Sequence, residues 1–366
     1  MKLTTLTLYD FRNYGSLQLA LVPGVNLIVG DNAQGKTNLL EAISYLSTGR
    51  SFRTARPQDL IRFGAEFADV SCQLYSQGRE QSIRAVLFAA RRPRQLYIGG
   101  VKQKSAAALS GVLTSVLFCP EDLMILKGSA APRRRLIDTA LCQLRPGYAQ
   151  ALAEYTKLYE SKSRILKDYH DNPAMLEPLP EFNTRLAQVG AVLIWHRARY
   201  LQALSEAAGA YHYEFSGGKE HLTLDYHTVS TVTDPFAGKK VIFSQILDHQ
   251  QSHYHAELES GQCLTGPHKD DFDARLGEMP VKSFGSQGQT RTAAISLKLA
   301  ERELLRRDAG EEPVLLLDDV LSELDSQRQD FVLNQIRTGQ VFITCCEPGR
   351  VSQLGQSIVV ENGSVL

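Results

Sequence analysis

Hydrophobic positions at the start of the chain change from a strand pattern to a helix pattern around a glycine-rich loop. In KLTTLTLYDF, Leu3, Leu6 and Leu8 broadly alternate with polar residues, which predicts an edge strand. GVNLIVG is a short apolar run that ends in glycine and indicates a buried strand entering a turn. Apolar residues then recur at helical spacing in TNLLEAISYLST, and a glycine follows as a stop. The predicted order is strand, glycine loop, helix.

The middle of the chain has a different pattern from its two ends. After several predicted meander strands, the segment from Pro120 to about Gly209 is mostly helical, and the proline-rich NPAMLEPLP separates two long helices. From Thr265 the pattern of loop, strand and helix returns, and SIVVENGSVL predicts a hairpin with an Asn-Gly turn. We therefore expect an α/β fold in three segments: 1–119, an inserted helical lobe 120–261, and 262–366.

Composition changes this picture little. The chain has 366 residues, of which 43% are hydrophobic and 22% charged, as in ordinary globular proteins. The formal net charge is zero, so any surface for nucleic acid must come from local clusters. Six scattered cysteines without a CxxC pair favour a reducing compartment. No apolar run approaches the ~18 residues of a membrane span, and we expect a cytoplasmic protein without a membrane partner.

The glycine loop has the pattern of a phosphate-binding loop. G-x-x-x-x-G-K-[ST] is matched at every fixed position by Gly30, Asp31, Asn32, Ala33, Gln34, Gly35, Lys36 and Thr37. Glycines let successive backbone N–H groups point at phosphate oxygens, Lys36 supplies charge for the β- and γ-phosphates, and the Thr37 hydroxyl can bind Mg²⁺. The alternative is an ordinary glycine-rich turn. The strand before and the helix after it favour ATP binding.

A carboxylate pair far along the chain fits the second half of such a site. VLLL precedes Asp318 and Asp319, so a buried strand would deliver Asp318 at its carboxyl end, as in a Walker B motif. Asp318 would hold Mg²⁺, directly or through water, and Asp319 would orient or deprotonate the attacking water. A solvated acidic turn is the alternative, and the matching loop makes it less favoured. The long separation indicates a large insertion between the halves of one ATPase.

A polar segment before this strand indicates the class of ATPase. FGSQGQ opens a long helix and is close to the LSGGQ signature of ABC-type ATPases, which closes over the γ-phosphate bound to a second subunit. The candidate residues are Ser286, Gln287, Gly288 and Gln289, with hydroxyl and backbone donors at a helix N-terminus. Ser322 and Asp325 follow the acidic pair where such ATPases have a D-loop at the dimer seam. A flexible polar loop is the alternative for this segment taken alone.

With these motifs in place, nearly the whole chain resembles the RecF family of bacterial recombination-mediator ATPases. The resemblance rests on YDFRNY, on NLLEAISYLSTGRSFRT after the loop, on LFCPEDLMILKGSAAPRRRLID, on GPHKDDF, and on LLLDDVLSELD. The blocks LFCPEDLMILKGSAAPRRRLID and GPHKDDF are more specific than any Walker motif. The resemblance implies an ABC-type P-loop ATPase head, like those of SMC and Rad50, with an inserted helical second lobe.

The same resemblance implies a function. It implies ATP with Mg²⁺ as cofactors, an ATP-dependent homodimer, binding to duplex and gapped DNA, and slow ATP hydrolysis. The implied partners are RecR with RecO, and RecA, whose loading the protein would assist. A transporter energy subunit or a P-loop phosphotransferase is the rival hypothesis, although a transporter subunit would not carry GPHKDD and a phosphotransferase would not need SQGQ.

Two departures from general ABC patterns stand out. The second acidic residue is Asp319, where many ABC ATPases have glutamate, and this shorter side chain suits a slow switch. No histidine follows the strand QVFITCC. Thr344 stands where a switch residue would contact the γ-phosphate, with Cys345 and Cys346 after it. We expect LFCPED at the place of the Q-loop, without a glutamine. Arg12, in YDFRNY, is a further candidate contact to the nucleotide, by analogy with related heads.

Local clusters supply the remaining candidates. For DNA, phosphate contacts are expected from Arg91, Arg92, Arg94, Lys102 and Lys104 on strands and turns of the head. For Arg133 to Arg135 a structural role is preferred. His249 and His253 have the spacing of a metal pair, but we favour no metal there. GPHKDDF is expected at the dimer or DNA face, with a structural role as the alternative.

Overall fold

In a computed structural model of the chain, the described residues are 1–90, 92–347, 349 and 353–366. They form two compact units, one of residues 1–122 with 291–366 and one of residues 123–290. Within the described residues, no helix is long and apolar enough to cross a membrane.

The N-terminal part of the first unit consists of strands and one helix. Its elements are β1 (Lys2–Phe11), β2 (Tyr14–Ala20), β3 (Val25–Val29), α1 (Lys36–Thr48), β4 (Phe67–Ser76), β5 (Arg79–Phe88), β6 (Gln95–Ile98), β7 (Val101–Gln103) and β8 (Ser115–Phe118). Six of the strands form an antiparallel sheet in the order β2-β1-β4-β5-β6-β7. The leucines of β1 face the core although Leu3 and Leu6 are three residues apart, because the pairing of β1 with β4 shifts register between Leu3 and Thr5.

The second unit is mainly helical. Its elements are α2 (Leu123–Lys127), α3 (Ala130–Leu144), α4 (Pro146–Asp168), α5 (Leu179–Phe215), β9 (Leu222–His227), α6 (Lys239–Ser252), α7 (Tyr254–Ser260), β10 (Asp271–Leu276), β11 (Met279–Pro280) and α8 (Val281–Phe284). The expected pair of long helices is confirmed as α4 and α5. The strands form a sheet in the order β11-β10-β9, of which only HLTLDYH has a strand pattern in the sequence.

The remaining elements complete the first unit. After α9 (Gln287–Ala309), the chain forms β12 (Val314–Leu317), α10 (Ser326–Gln335), β13 (Val341–Cys345), β14 (Gly355–Glu361) and β15 (Ser364–Val365). The second sheet has the order β15-β14-β3-β13-β12-β8, and its strands from β14 to β8 run parallel. The strand β12 is buried along its whole length, as expected for a parallel sheet covered on both faces. The predicted C-terminal hairpin is confirmed.

A buried charge network organises the second unit. Arg197 on α5 donates to Asp138 through Nε and Nη2, both at 3.0 Å, and to Asp270 through Nη1 at 2.8 Å. Asp270 also accepts from the hydroxyls of Tyr226 and Thr228. Burial raises the pKa of Asp270, and Arg197 is the main group that opposes this shift. GPHKDDF therefore contributes a buried carboxylate to the unit, which favours the structural alternative for this residue.

The arginines of the segment GSAAPRRRLID also have a structural role. Arg133 donates to both carboxylate oxygens of Asp271, and Arg134 donates to the carbonyl of Asp270 at 2.7 Å. The hydrogen bonds to Arg133 help to lower the pKa of Asp271, although burial opposes this. These contacts support the structural role preferred for the two arginines. The spacing of His249 and His253 also has a structural explanation, because their rings stack with centroids 3.9 Å apart and His249 hydrogen-bonds with Thr265.

Replacing Arg197 with methionine should destabilise the second unit by about 3–5 kcal/mol, because two carboxylates lose their shared cation in the interior. Urea unfolding followed by tryptophan fluorescence measures this unit directly, since Trp195 is the only tryptophan of the chain. Arg185→Met is the matched control, because Arg185 pairs with Glu154 at the surface and its loss should change the midpoint little. Equal shifts for both variants would contradict the role of the network.

Candidate functional site

The phosphate-binding loop lies between β3 and α1, where the backbone comes very close to its neighbours. A Cβ atom on Gly30 would lie 2.2 Å from the carbonyl oxygen of Val360. Gly35 has a φ of 121°, and a Cβ there would lie 2.7 Å from the side chain of Asn13. Both positions therefore require glycine for this loop geometry. The loop leads directly into the first turn of α1, whose N–H groups and dipole favour an anion.

The ammonium group of Lys36 lies over the loop that precedes it. Its Nζ donates to the carbonyl oxygens of Gly30 at 2.5 Å and of Asp31 at 3.1 Å. It is also 3.3 Å from Sγ of Cys346, and this sulfur lies 3.1 Å from Oδ1 of Asn32. Lys36 is buried. The cation is thus held over the loop by two of its backbone carbonyl oxygens.

Asp318 joins the two distant parts of the site. It follows β12, and its Oδ1 accepts hydrogen bonds from the hydroxyls of Thr37 and Thr344, each at 2.9 Å. Thr37 and Asp318 are 281 residues apart in the chain. Burial raises the pKa of Asp318, and the two hydroxyl donors act in the opposite direction. The structure therefore brings together the loop threonine and the first acidic residue that the sequence analysis selected.

Thr344 holds both aspartates at once. Its hydroxyl donates to Asp318 and accepts from the backbone N–H of Asp319 at 2.8 Å. Asp319 has a φ of 54°, an uncommon conformation for a residue with a side chain, and the bond from its N–H to Thr344 helps to hold it. Ser322 donates to the carbonyl of Asp319 at 2.7 Å. The sequence analysis selected Thr344 for its position, but not for this bridging contact.

Arg12 lies beside the loop helix with its guanidinium already paired. It donates to both carboxylate oxygens of Glu41 at 2.8 Å and to the carbonyl of Asp59 at 2.8 Å. Glu41 lies on α1 and is fully buried. Its carboxylate also accepts from Ser51 at 2.5 Å. The contact of Arg12 with the nucleotide stays a prediction, and its described contacts position α1.

The C-terminal hairpin also supports the loop. The backbone N–H of Asn362 donates to Oε1 of Gln34 at 2.6 Å, and that of Gly363 donates to the Gln34 carbonyl at 3.1 Å. Tyr14 donates its hydroxyl to the carbonyl of Gly35 at 3.1 Å. The sequence analysis predicted the hairpin but not its contact with the loop, because no local pattern links residues so far apart.

In the second unit, the signature segment begins α9 with a reciprocal cap. The backbone N–H of Ser286 donates to Oε1 of Gln289 at 2.9 Å, and the N–H of Gln289 donates to the Ser286 hydroxyl at 3.2 Å. This is a capping box with Ser286 as the N-cap and glutamine at the N3 position. Gln289 also donates to Glu220 at 2.7 Å, and Glu220 lies 3.0 Å from Nε2 of the buried His212. Glu220 is a contact that the sequence analysis missed.

Lys127 fixes the backbone just ahead of the signature. Its Nζ donates to the carbonyl oxygens of Val281 at 2.9 Å, of Lys282 at 3.3 Å and of Gly285 at 2.8 Å. These carbonyls belong to the short helix α8 and to Gly285, which follows it, so Lys127 holds the whole turn together. The KG pair in the LMILKG segment was the available signal, but a single lysine in sequence does not reveal its partners.

The D-loop candidate Asp325 has a local role in the first unit. It is the N-cap of α10, and its Oδ1 accepts from the backbone N–H of Arg328 at 2.9 Å. This hydrogen bond is the main reason that the pKa of Asp325 is lowered. Ser322 is exposed one turn earlier and contacts Asp319, as described above. Asp325 therefore orients the helix that follows the acidic pair.

The DNA candidates differ in their exposure to solvent and in the contacts that their side chains make. Arg92, Lys102 and Lys104 are exposed on the first unit. Arg94 is partly buried, and its guanidinium donates to the Tyr45 hydroxyl at 2.9 Å and to the carbonyl of Gly49. Arg91 lies outside the described residues. Arg94 thus has a structural contact in addition to the proposed one.

Comparison with known proteins identifies the family. Residues 2–363 match the RecF/RecN/SMC N-terminal domain family. A protein of Staphylococcus haemolyticus named DNA replication and repair protein RecF is 37% identical over 349 residues, which is 94% of this chain and 93% of that protein. The chain belongs to the RecF family. A relative of the same name from Staphylococcus epidermidis is 38% identical over 349 residues, covering 94% of this chain and 93% of the relative.

Solved structures of RecF proteins agree with this assignment. One described as the recombination mediator protein RecF-ATPrS in the RecFOR pathway has a TM-score of 0.92, 32% identity, and coverage of 100% of this chain and 97% of that one. A RecF-ATP structure of the same pathway has a TM-score of 0.89. The Smc head of Pyrococcus furiosus, with 17% identity and a TM-score of 0.55, shares the fold. The expected RecF family and SMC-like head are confirmed.

Lys127→Met should loosen the backbone that leads into the signature, because three carbonyl oxygens lose a shared cation. Hydrogen exchange measured by mass spectrometry should become faster over residues 281–290. Lys282→Met is the matched control, since Lys282 is exposed on the same short helix and its ammonium should not restrain the carbonyls. If both variants exchange at the rate of the wild type, Lys127 does not position this segment.

Proposed function

We propose that the chain is an ATP-dependent DNA-binding protein of DNA replication and repair, which acts as an ATP-gated homodimer. The observation that carries the proposal is the contact of Thr37 and Thr344 with Asp318, because it joins a phosphate-binding loop to an acidic pair as nucleotide hydrolysis requires. The names of the RecF relatives support replication and repair as the setting. RecF proteins solved with ATP support ATP as the nucleotide.

The residues that would bind the nucleotide are those of the loop, residues 30–37. Backbone N–H groups at the start of α1 would contact phosphate oxygens, and Lys36 would exchange its contacts with loop carbonyls for the β- and γ-phosphates. The Thr37 hydroxyl and the Asp318 carboxylate, 2.9 Å apart, are an oxygen pair that fits Mg²⁺. Bound Mg²⁺ neutralises charge on the phosphates.

Asp319 would act on the attacking water. Its backbone is held by Thr344 and its carbonyl by Ser322, so the carboxylate projects from a fixed point next to the metal ligand Asp318. A carboxylate there can orient the water and accept its proton. The short aspartate side chain suits slow hydrolysis, so that the ATP-bound state persists and acts as a conformational switch rather than as a fast enzyme.

The signature would complete the site of a second copy. Ser286 and the backbone of Gly288 lie at the start of a long helix, which favours a γ-phosphate from another chain. Ser322 and Asp325 would lie at the same seam. ATP would then hold two chains together, and hydrolysis would release them. This arrangement makes dimer formation depend on nucleotide.

The family supports a proposal for the DNA and protein partners. Phosphate contacts of duplex or gapped DNA would come from the exposed Arg92, Lys102 and Lys104, with Arg91 and Arg94 as further candidates. Since RecF relatives are described in the RecFOR pathway, we infer that RecR with RecO is a partner and that the dimer assists the loading of RecA. The protein would act in the cytoplasm and without a membrane partner.

Two inactive variants should restore activity to each other if each site is shared by two chains. The Lys36→Ala variant lacks the cation that would bind the phosphates. The Ser286→Arg variant has a blocked signature. Each variant alone should lack ATP-dependent dimers in sedimentation and should not hydrolyse ATP. Mixed in equal amounts, they form heterodimers in which one site has both wild-type parts, so part of the ATPase activity should return.

Nucleotide binding provides the control for this mixing experiment. Ser286→Arg should bind a fluorescent ATP analogue as a monomer with wild-type affinity, whereas Lys36→Ala should not. Dimers that persist unchanged in both variants, or an ATPase that Ser286→Arg leaves intact, would refute the shared site.

Thr344→Val should slow hydrolysis at saturating ATP by roughly tenfold or more, because the lost hydrogen bonds involve a charged carboxylate. Valine keeps the shape of threonine, so the fold should be unaffected. Thr344→Ser keeps the hydroxyl and should restore most of kcat, which a purely packing role would not. Steady-state ATP turnover measures both variants, and wild-type turnover of Thr344→Val would show that the bridge is dispensable.

A further inference from the structure

The second unit gathers positive charges around its tryptophan. On α5, the guanidinium carbon of Arg199 lies 3.9 Å from the ring centroid of Trp195. Nζ of Lys239, the first residue of α6, lies 4.5 Å from the same centroid. Both distances are within the range of cation–π contacts. Two cations of different helices thus share one aromatic ring.

The next residue along α5 is surrounded by the same charges. The ring of His196 makes an edge contact with Trp195, with centroids 4.8 Å apart. Burial, and then the charges of Lys239, Arg145 and Arg199, lower the pKa of His196 to about 4. All the charged groups that shift this imidazole are cations. We call Arg145, Arg199, Lys239 and the adjacent Lys240 the lobe cation cluster.

Lys239 and Lys240 lie at the start of α6, where positive charge is unfavourable for the helix. Within the described residues 238–242, the first turn of α6 has no acidic residue, and its N-cap Gly238 offers no side-chain acceptor. Both lysines stand at the positive end of the helix dipole. The ring of Trp195 is an aromatic partner of the Lys239 ammonium group.

We propose that the lobe cation cluster binds the phosphate backbone of nucleic acid, as a surface additional to the head candidates Arg92, Lys102 and Lys104. This inference rests on the proposed function for the identity of the polyanion. Lysine and arginine at helix N-termini, with backbone N–H groups behind them, contact phosphates without reading bases. The exposed Lys239 and Lys240 are accessible for such contacts.

Nucleic acid fits this surface better than an acidic protein segment does. The charges come from α5 (Arg199), from the first turn of α6 (Lys239 and Lys240) and from the residue before α4 (Arg145), so they are spread over several elements rather than along one. Arg199 also donates to the carbonyls of Trp195 and Phe236, which fixes its guanidinium in place. A fixed patch of cations suits a stiff, regularly charged ligand.

The test is charge reversal in the variant Lys239→Glu/Lys240→Glu. Acidic residues are favourable in the first turn of a helix, so α6 should fold at least as well as in the wild type. Duplex DNA binding, measured by fluorescence anisotropy, should weaken at least about tenfold, and the slope of log affinity against log salt should fall by about 2. Lys157→Glu/Arg164→Glu reverses the same charge on exposed positions of α4 and should behave like the wild type.

Tryptophan emission gives a second, local readout. Because Trp195 is the only tryptophan, DNA should change the emission of the wild type and of the control but not that of the reversed variant. Equal DNA affinity and salt slope in the reversed variant would overturn the inference. So would polyglutamate that changes the emission as strongly as DNA while the reversal leaves DNA affinity intact, since that outcome indicates an acidic protein partner. A wild type that binds ATP but no DNA would refute the proposed function itself.

Discussion

The hydrogen bond from Thr37 to Asp318 is the contact on which the rest of the first unit depends. It requires the loop after β3 and the end of β12 to meet, so the parallel sheet must bring together strands from opposite ends of the chain. β13 lies between them and supplies Thr344, whose hydroxyl holds both aspartates. A buried carboxylate with these donors has little freedom to move. The geometry of the acidic pair is therefore set by sheet register rather than by local sequence.

Much of this fold was predictable because its elements carry strong local signals. The apolar run of β12, the glycine loop before α1 and the Asn-Gly turn of the last hairpin each specify their own structure. The small sheet of β9, β10 and β11 was only partly predicted, since DFDARLGEMP has few apolar residues and its pairing is made across the second unit. Strand pairing between distant segments leaves no periodic pattern in either one.

The candidate site divides in the same way. Lys36, Thr37 and Asp318 belong to motifs whose residue types follow from phosphate chemistry, and sequence alone selected them. Lys127 and Glu220 act by contacting the backbone or side chains around the signature, and such contacts are visible only in three dimensions. For GPHKDDF, polarity was a misleading signal. This polar segment provides Asp270, the buried carboxylate that pairs with Arg197.

The position of β3 in its sheet has a consequence for synthesis in the cell. Its two neighbours, β13 and β14, both come from the last part of the chain, and the turn between β14 and β15 contacts Gln34. On a ribosome, the loop strand therefore emerges long before any strand that pairs with it, whereas residues 123–290 can form their own core in between. The loop strand of a nascent chain would therefore lack its sheet neighbours until translation is nearly over.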